Sequence, residues 1–336
     1  MLTLHLVNAG WITSTITLPV QTSYDWTTTA GSRIMFGSFY SGSADVYDST
    51  TQTWSSFNLQ AISLERATAS LGTKVFLYGD NQAVVGDIVS GSATRTAFPV
   101  SARYGTTVGT YFMFAGGANG GAAGAPAVSR VDIYDTTTNA WSTSSLSSPR
   151  CYVSPVTVGN LALFAGGSSA AFANSPISQV VDIFDFTTKT WSTTTMPTTR
   201  LLPVSTSVGS LACFAFGRGS WANDMVYSID LYNTVTQQWS TVNFPFPGVF
   251  DISTRINVDS IGSQLIFGMA KESFNYYIYD TYTQAWSSGT IVTNQYGLFG
   301  SVMAKFNNKL LLAGGTSTTT YSYTCKKSMH FHINNL

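Results

Sequence analysis

Side chains able to move protons or hold metals are few in this sequence. Histidine occurs only at His5, His330 and His332, so the long middle of the chain offers no imidazole as base or ligand. His330 and His332 would share one face of an extended strand, and with His5 they form a weak candidate cluster for a divalent metal. A solvated tail is the simpler expectation, and no cofactor is expected. The carboxylates are two glutamates, Glu65 and Glu272, and 14 aspartates. Eight of these, Asp45, Asp48, Asp132, Asp135, Asp182, Asp185, Asp230 and Asp280, fall at two recurring places, which marks them as structural. Few acids remain for the paired carboxylates of glycoside hydrolysis. The cysteines, Cys151, Cys213 and Cys325, are far apart, odd in number and without a CxxC spacing. Cys213 sits in the apolar run 211–214 and reads as a small buried hydrophobe. These residues lead us to expect a protein that is not an enzyme.

Arginine and exposed aromatics are better placed to recognise a partner than to do chemistry. Arg150 and Arg200 each stand nine residues before a glycine, Gly159 and Gly209. Arg66 and Arg103 stand only six before Gly72 and Gly109, which changes the face they occupy in a strand. Arg218, Phe172 and Trp221 lie in long stretches rich in glycine, alanine and serine. With Arg150 and Arg200 they form the candidate partner-binding set. Guanidinium groups fork onto a partner's carboxylates and carbonyls, and exposed aromatics on loops anchor interfaces. For the arginines, bonding to the chain's own loop carbonyls is the simpler expectation.

Composition narrows the partner. The chain has 336 residues, 44% hydrophobic, 14% aromatic and 10% charged, with 16 basic against 16 acidic residues. Zero net charge argues against nucleic acid held by bulk electrostatics, and the aromatic content argues against disorder. No apolar run approaches the ~18 residues of a membrane span. The first residues lack the basic and apolar regions of a signal peptide, and no Asn-x-Ser/Thr sequon occurs. Both slightly favour a cytoplasmic location, with a mature or excised chain of a secreted or cell-surface protein as the alternative.

What must position these residues is a repeat. Trp11, Trp54, Trp141, Trp191, Trp239 and Trp286 recur at separations of about 43, 87, 50, 48 and 47 residues, and the 87 marks a repeat that has lost its tryptophan near Thr94 to Thr96. Six residues before five of them comes an Asp or Asn preceded by an aromatic: Tyr47-Asp48, Tyr134-Asp135, Phe184-Asp185, Tyr232-Asn233 and Tyr279-Asp280. Apolar runs closed by Gly116-Gly117, Gly166-Gly167 and Gly314-Gly315 complete the pattern, and segments such as 135–139 carry the Asx and Ser/Thr chemistry of a hairpin turn.

This double glycine, aromatic-Asp pair and phased tryptophan resemble the kelch repeat over essentially the whole chain, most clearly from Arg150 to Trp191. The resemblance implies an all-β fold: a kelch-type β-propeller of about seven four-stranded antiparallel blades, as a single domain over 1–336. N- and C-terminal strands would close the ring. Residues 1–20 are the expected closing strand region, with Trp11 pairing near Thr320 to Thr324. Residues 325–336 are a tail or an extra strand, the competing candidate for that place. Some kelch domains use arginines placed like Arg150 and Arg200 to hold acidic peptides. Copper-radical oxidases use a kelch-like propeller too, but with interior His ligands that this chain lacks, and the Asp box of sialidase propellers is absent. In such a blade the link between strands two and three lies on one face. It is long in three consecutive repeats: Ala118 to Val128, Ser168 to Gln179 and Arg218 to Val226. The expected role is therefore a non-enzymatic protein-interaction or scaffold module that binds a protein partner through that face. A glycan- or small-ligand-binding propeller is the alternative, and a propeller enzyme the least supported.

Overall fold

A computed structural model describes residues 11–16, 26–37, 42–58, 68–79, 82–97, 104–119, 124–171, 175–220, 224–246, 255–270, 274–291, 302–306, 309–313 and 329–334. Six four-stranded antiparallel sheets account for most of them, each built from four strands paired in sequence order. They are blade one (26–58), two (68–97), three (105–145), four (154–195), five (204–243) and six (255–291). The first strands of successive blades lie side by side around an axis, and Val302–Phe306 lies against the first strands of blades six and one. The chain is an all-β propeller.

About seven four-stranded blades were expected, and six are present among the described residues. The remaining four strands form two two-stranded ladders. Val302–Phe306 pairs with Lys309–Ala313, and Trp11–Ile16 pairs with Met329–Asn334. The terminal strands therefore do meet, with Trp11 opposite Asn334; Thr320 to Thr324, the partner expected for it, lies outside the described residues. Residues 329–334 are a strand and not a tail, and they lie beside Lys309–Ala313.

Within a blade, position dictates composition. Second and third strands are sandwiched between neighbouring blades, so nearly every residue is buried whichever way it points, as in Leu161–Ala165 and Val180–Asp185. Fourth strands form the outer edge and are mostly exposed, which explains their Ser and Thr. Their tryptophans are half-buried, each opposite the aromatic of strand three: Tyr47 with Trp54, Tyr134 with Trp141, Phe184 with Trp191, Tyr232 with Trp239 and Tyr279 with Trp286. Ring centroids in these pairs are 5.1, 5.2, 5.2, 4.9 and 5.1 Å apart. Blade two lacks the pair; there Gly86 faces Ala93. Phe57 of blade one fills that place, its ring lying where a β-carbon on Gly86 would sit.

The aromatic-Asp turn is a cap. Asp135 Oδ1 accepts the Thr137 N–H at 2.9 Å, and Asp185 Oδ1 accepts those of Thr187 and Thr188. Asn233 does the same for Val235 and Thr236, and Asp280 for Tyr282 and Thr283. The turn then closes through a left-handed residue, Lys189 at φ 59° or Gln284 at φ 57°, whose N–H returns to the aspartate carbonyl. Near the axis the first strands of successive blades lie side by side and carry Ser and Thr. Their hydroxyls bond across the seam to the preceding first strand: Thr157 to the Thr107 carbonyl at 2.5 Å, Ser205 to Pro155 at 2.8 Å and Ser260 to Ser207 at 2.6 Å.

Candidate interaction face

The three lengthened links belong to blades three, four and five, which are consecutive. Blade one joins its second and third strands through 38–42, blade two through 80–81 and blade six through 271–273; the long links span 116–129, 166–179 and 216–227. Two of them are knitted together. The Ala127 N–H donates to Ser169, the Ala171 N–H to Ala125 and the Gly124 N–H to Ala171, and Pro126 bridges Ala170. Beneath them Ala118, Ala125, Cys151, Tyr152, Ala171 and Leu201 form a buried apolar cluster. The third link is braced at its root, where Arg218 exchanges both backbone bonds with Leu201 at 2.8 and 2.9 Å. Further out, Ser220 donates to Asp224 at 2.6 Å.

Arg150 and Arg200 lie under this face and not on it. Both are fully buried, at 2% and 0% exposure. The Arg150 guanidinium reaches Asp182 and donates to the carbonyls of Gly166 and Val180, each at 2.7 Å. Burial pulls its pKa below the ordinary arginine value, opposed by Asp182. Arg200 meets Asp230 at 3.0 Å and the carbonyls of Phe216 and Ser228 at 2.8 and 2.9 Å. Both guanidinium groups bond to their own blade and tie the loop-side ends of strands two and three together, although the Arg150 Nε is left without a hydrogen-bond partner among the described residues. They position the roots of the loops. Arg218 is half-buried. Phe172 and Trp221, the expected apolar anchors, lie outside the described residues, and Leu202, 41% exposed, is a large apolar side chain open on the segment that braces the third link.

The double glycines belong to the same construction. Gly117 N–H donates to the Arg150 carbonyl and Gly167 N–H to that of Arg200, each crossing to the next blade. A β-carbon on Gly116 would strike the Arg150 carbonyl, and one on Gly166 would come to 2.5 Å from that of Arg200. Their left-handed φ values, 70° and 66°, add a second reason for glycine.

His330 and His332 stand opposite Thr15 and Thr13 in the terminal ladder, and His5 lies outside the described residues. Among the described residues no group of three or more His, Cys, Asp or Glu could hold a metal ion. Cys151 and Cys213 are buried thiols; burial pushes that of Cys213 far above its ordinary pKa. Cys325 lies outside the described residues. Sequence reasoning missed the hydroxyl seam around the axis and the Cys151–Ser168 bridge under the loops. Recurring Ser and Thr in the first strands were the available signal for the seam.

No family model matches the chain, and no curated protein matches it in sequence. Many solved structures match it in shape. One of them, the structure of YjhT, is 13% identical, with a TM-score of 0.57 over 81% of this chain and 93% of that one. At that identity the likeness is one of fold alone: this chain is built as a β-propeller.

Proposed function

We propose that this propeller is a non-enzymatic interaction module of kelch type, and that it binds a protein partner on the face built by 118–128, 168–179 and 218–226. The observation that carries this reading is the continuity of that face. Three consecutive blades lengthen the same link, and two of the links share backbone bridges. A glycine- and alanine-rich segment costs conformational entropy to order. Bracing it against its neighbour and against two buried arginine pins lowers the cost of presenting it to a partner. Phe172 and Trp221 are the proposed apolar anchors and Arg218 the polar one. Arg150 and Arg200 act through the loop roots, as positioning residues.

The kelch assignment supplies a count of blades as well. The two terminal ladders occupy the arc between blades six and one, in the order 302–306, 309–313, 329–334, 11–16. Taken as one sheet they make a seventh blade, with Trp11 on its fourth strand in phase with the other tryptophans.

The test is quantitative capture of binding proteins from the source extract by the wild-type chain and by Phe172→Ala/Trp221→Ala. The reading expects specific partners to be lost at unchanged melting temperature. Capture that survives the double change, or glycans retained on an array in place of proteins, contradicts it.

A further inference from the structure

Blade three keeps one half of the arginine pin. Asp132 stands third in the strand Arg130–Asp135, the place held by Asp182 in Val180–Asp185 and by Asp230 in Ser228–Asn233. In those two blades both carboxylate oxygens are engaged. Asp182 accepts the Ser147 N–H on Oδ1 and Arg150 on Oδ2. Asp230 accepts Thr198 and Thr241 hydroxyls on Oδ1, and Arg200 with the Thr198 N–H on Oδ2. Asp132 is as buried, at 2% side-chain exposure, yet Arg130 meets only its Oδ1, through Nε at 2.7 Å and Nη2 at 2.6 Å. Its Oδ2 is buried with no hydrogen-bond partner among the described residues.

The sequence accounts for the difference. Gly109, Gly159 and Gly209 are equivalent left-handed turn glycines, at φ 57°, 56° and 56°. Nine residues before the last two stand Arg150 and Arg200; nine before Gly109 stands Val100. The remaining acceptors are kept. Gly116 N–H donates to the Arg130 carbonyl at 2.9 Å, just as Gly166 does to Val180 at 3.1 Å and Phe216 to Ser228 at 3.2 Å. In the two sibling blades those same carbonyl pairs also receive Nη1 of the arginine. Asp132 Oδ2 with the Gly116 and Arg130 carbonyls is therefore the acceptor set of a guanidinium, in a blade whose sequence places valine at the arginine position.

A buried carboxylate oxygen without a partner is costly. Burial holds the Asp132 carboxyl above its ordinary range even with Arg130 drawing it down. A planar cation with forked N–H donors suits one carboxylate oxygen flanked by two carbonyls, whereas the compact ammonium lacks that geometry. We propose that Asp132 and the carbonyls of Gly116 and Arg130 form a binding site for an alkylguanidinium group supplied from outside the chain, at the root of the 118–128 loop. Its ligand is a small guanidinium compound or an arginine side chain presented by a peptide. The inference stands apart from the partner-binding reading, because a small probe reports on it with no partner present.

The test is calorimetric titration of the full chain with methylguanidinium and with a blocked Gly-Arg-Gly peptide, against tetramethylammonium at equal ionic strength. Saturable binding of methylguanidinium alone assigns a small ligand; binding of both assigns an arginine side chain. Asp132→Asn is expected to weaken binding at least tenfold. Val100→Arg is expected to abolish it and to raise the melting temperature, since the chain then supplies its own guanidinium. It reads the site even where Asp132→Asn folds poorly. Absence of saturable binding, or binding untouched by both variants, overturns the proposal. Binding seen only after Arg103→Gln overturns it too, because the chain then fills the site itself.

Discussion

Arg150 and Arg200 repeat one bonding pattern a blade apart, and burial makes that pattern consequential. Removing one member of a buried, hydrogen-bonded ion pair typically costs about 3–5 kcal/mol, because the other charge is left without compensation. Arg200→Ala is therefore expected to lower the unfolding free energy in urea by roughly that amount, whereas Arg218→Ala, half-buried, should stay within about 0.5 kcal/mol. Equal effects would mean that the pins do not hold the blades. The turn aspartates make a different prediction. The Thr50 hydroxyl, Arg33 and the Thr50 N–H hold the Asp48 carboxyl far below the ordinary carboxylate range. The N–H groups of Thr187 and Thr283 pull down Asp185 and Asp280 in the same direction. Folded pKa values below the unfolded ones mean that the unfolded chain binds more protons in acid. This stability is complete above the ordinary carboxylate pKa and is lost as pH falls through the folded values. The urea midpoint should hold from neutral pH down to about pH 5 and fall below about pH 4, with a shallower fall in Asp48→Asn. A midpoint indifferent to acid would contradict this.

At the level of the blade, two kinds of glycine look alike in sequence and differ in space. Gly159 has φ 56° with nothing within 4 Å of an added β-carbon, whereas Gly166 has φ 66° and lies under the Arg200 carbonyl. Gly159→Ala should cost about 1–2 kcal/mol, the left-handed penalty, and Gly166→Ala roughly 1–3 kcal/mol more for the clash, both measured in urea. The reverse order would show that the double glycine serves something other than passage beneath the next blade's carbonyl. The tryptophan phase and the aromatic-Asp turn were legible because each residue type answers a local demand: a flat interface, a capped turn or a left-handed backbone. The four strands of each blade were implied only by the resemblance to kelch repeats. Bonding of Arg150 and Arg200 to loop carbonyls was the simpler expectation, but their carboxylate partners were not legible. Their partners, Asp182 and Asp230, lie 32 and 30 residues downstream, and the pattern that identified those aspartates as structural did not name what they hold. Phe57 standing in for the missing aromatic pair was hidden for the same reason, since the substitution crosses from one blade to the next.

For the whole molecule, sequence phase placed Trp11 in the closing region, where it pairs with the competing segment Met329–Asn334. Thr320 to Thr324, the segment first expected there, lies outside the described residues, and both segments carry a strand-like pattern that only pairing distinguishes. Deleting the residues before Pro19 removes the strand Trp11–Ile16 and bares Met329–Asn334. The expected outcome is a cooperative drop in melting temperature with aggregation detected by light scattering; unchanged melting and solubility would show that the ring is complete without that strand. The working face poses the broader question. The turns at 48–53, 135–140, 185–190 and 280–285 lie at the opposite ends of the blades from the long links, so a bound partner protects one set of amides and not the other. The most direct measurement is amide hydrogen exchange of the full chain with and without the partner it captures. The account predicts slowed exchange confined to 118–128, 168–179 and 218–226, with the hairpin turns unchanged. Protection centred on those turns, or on the outer strands, would place the partner elsewhere and contradict the proposed interaction face.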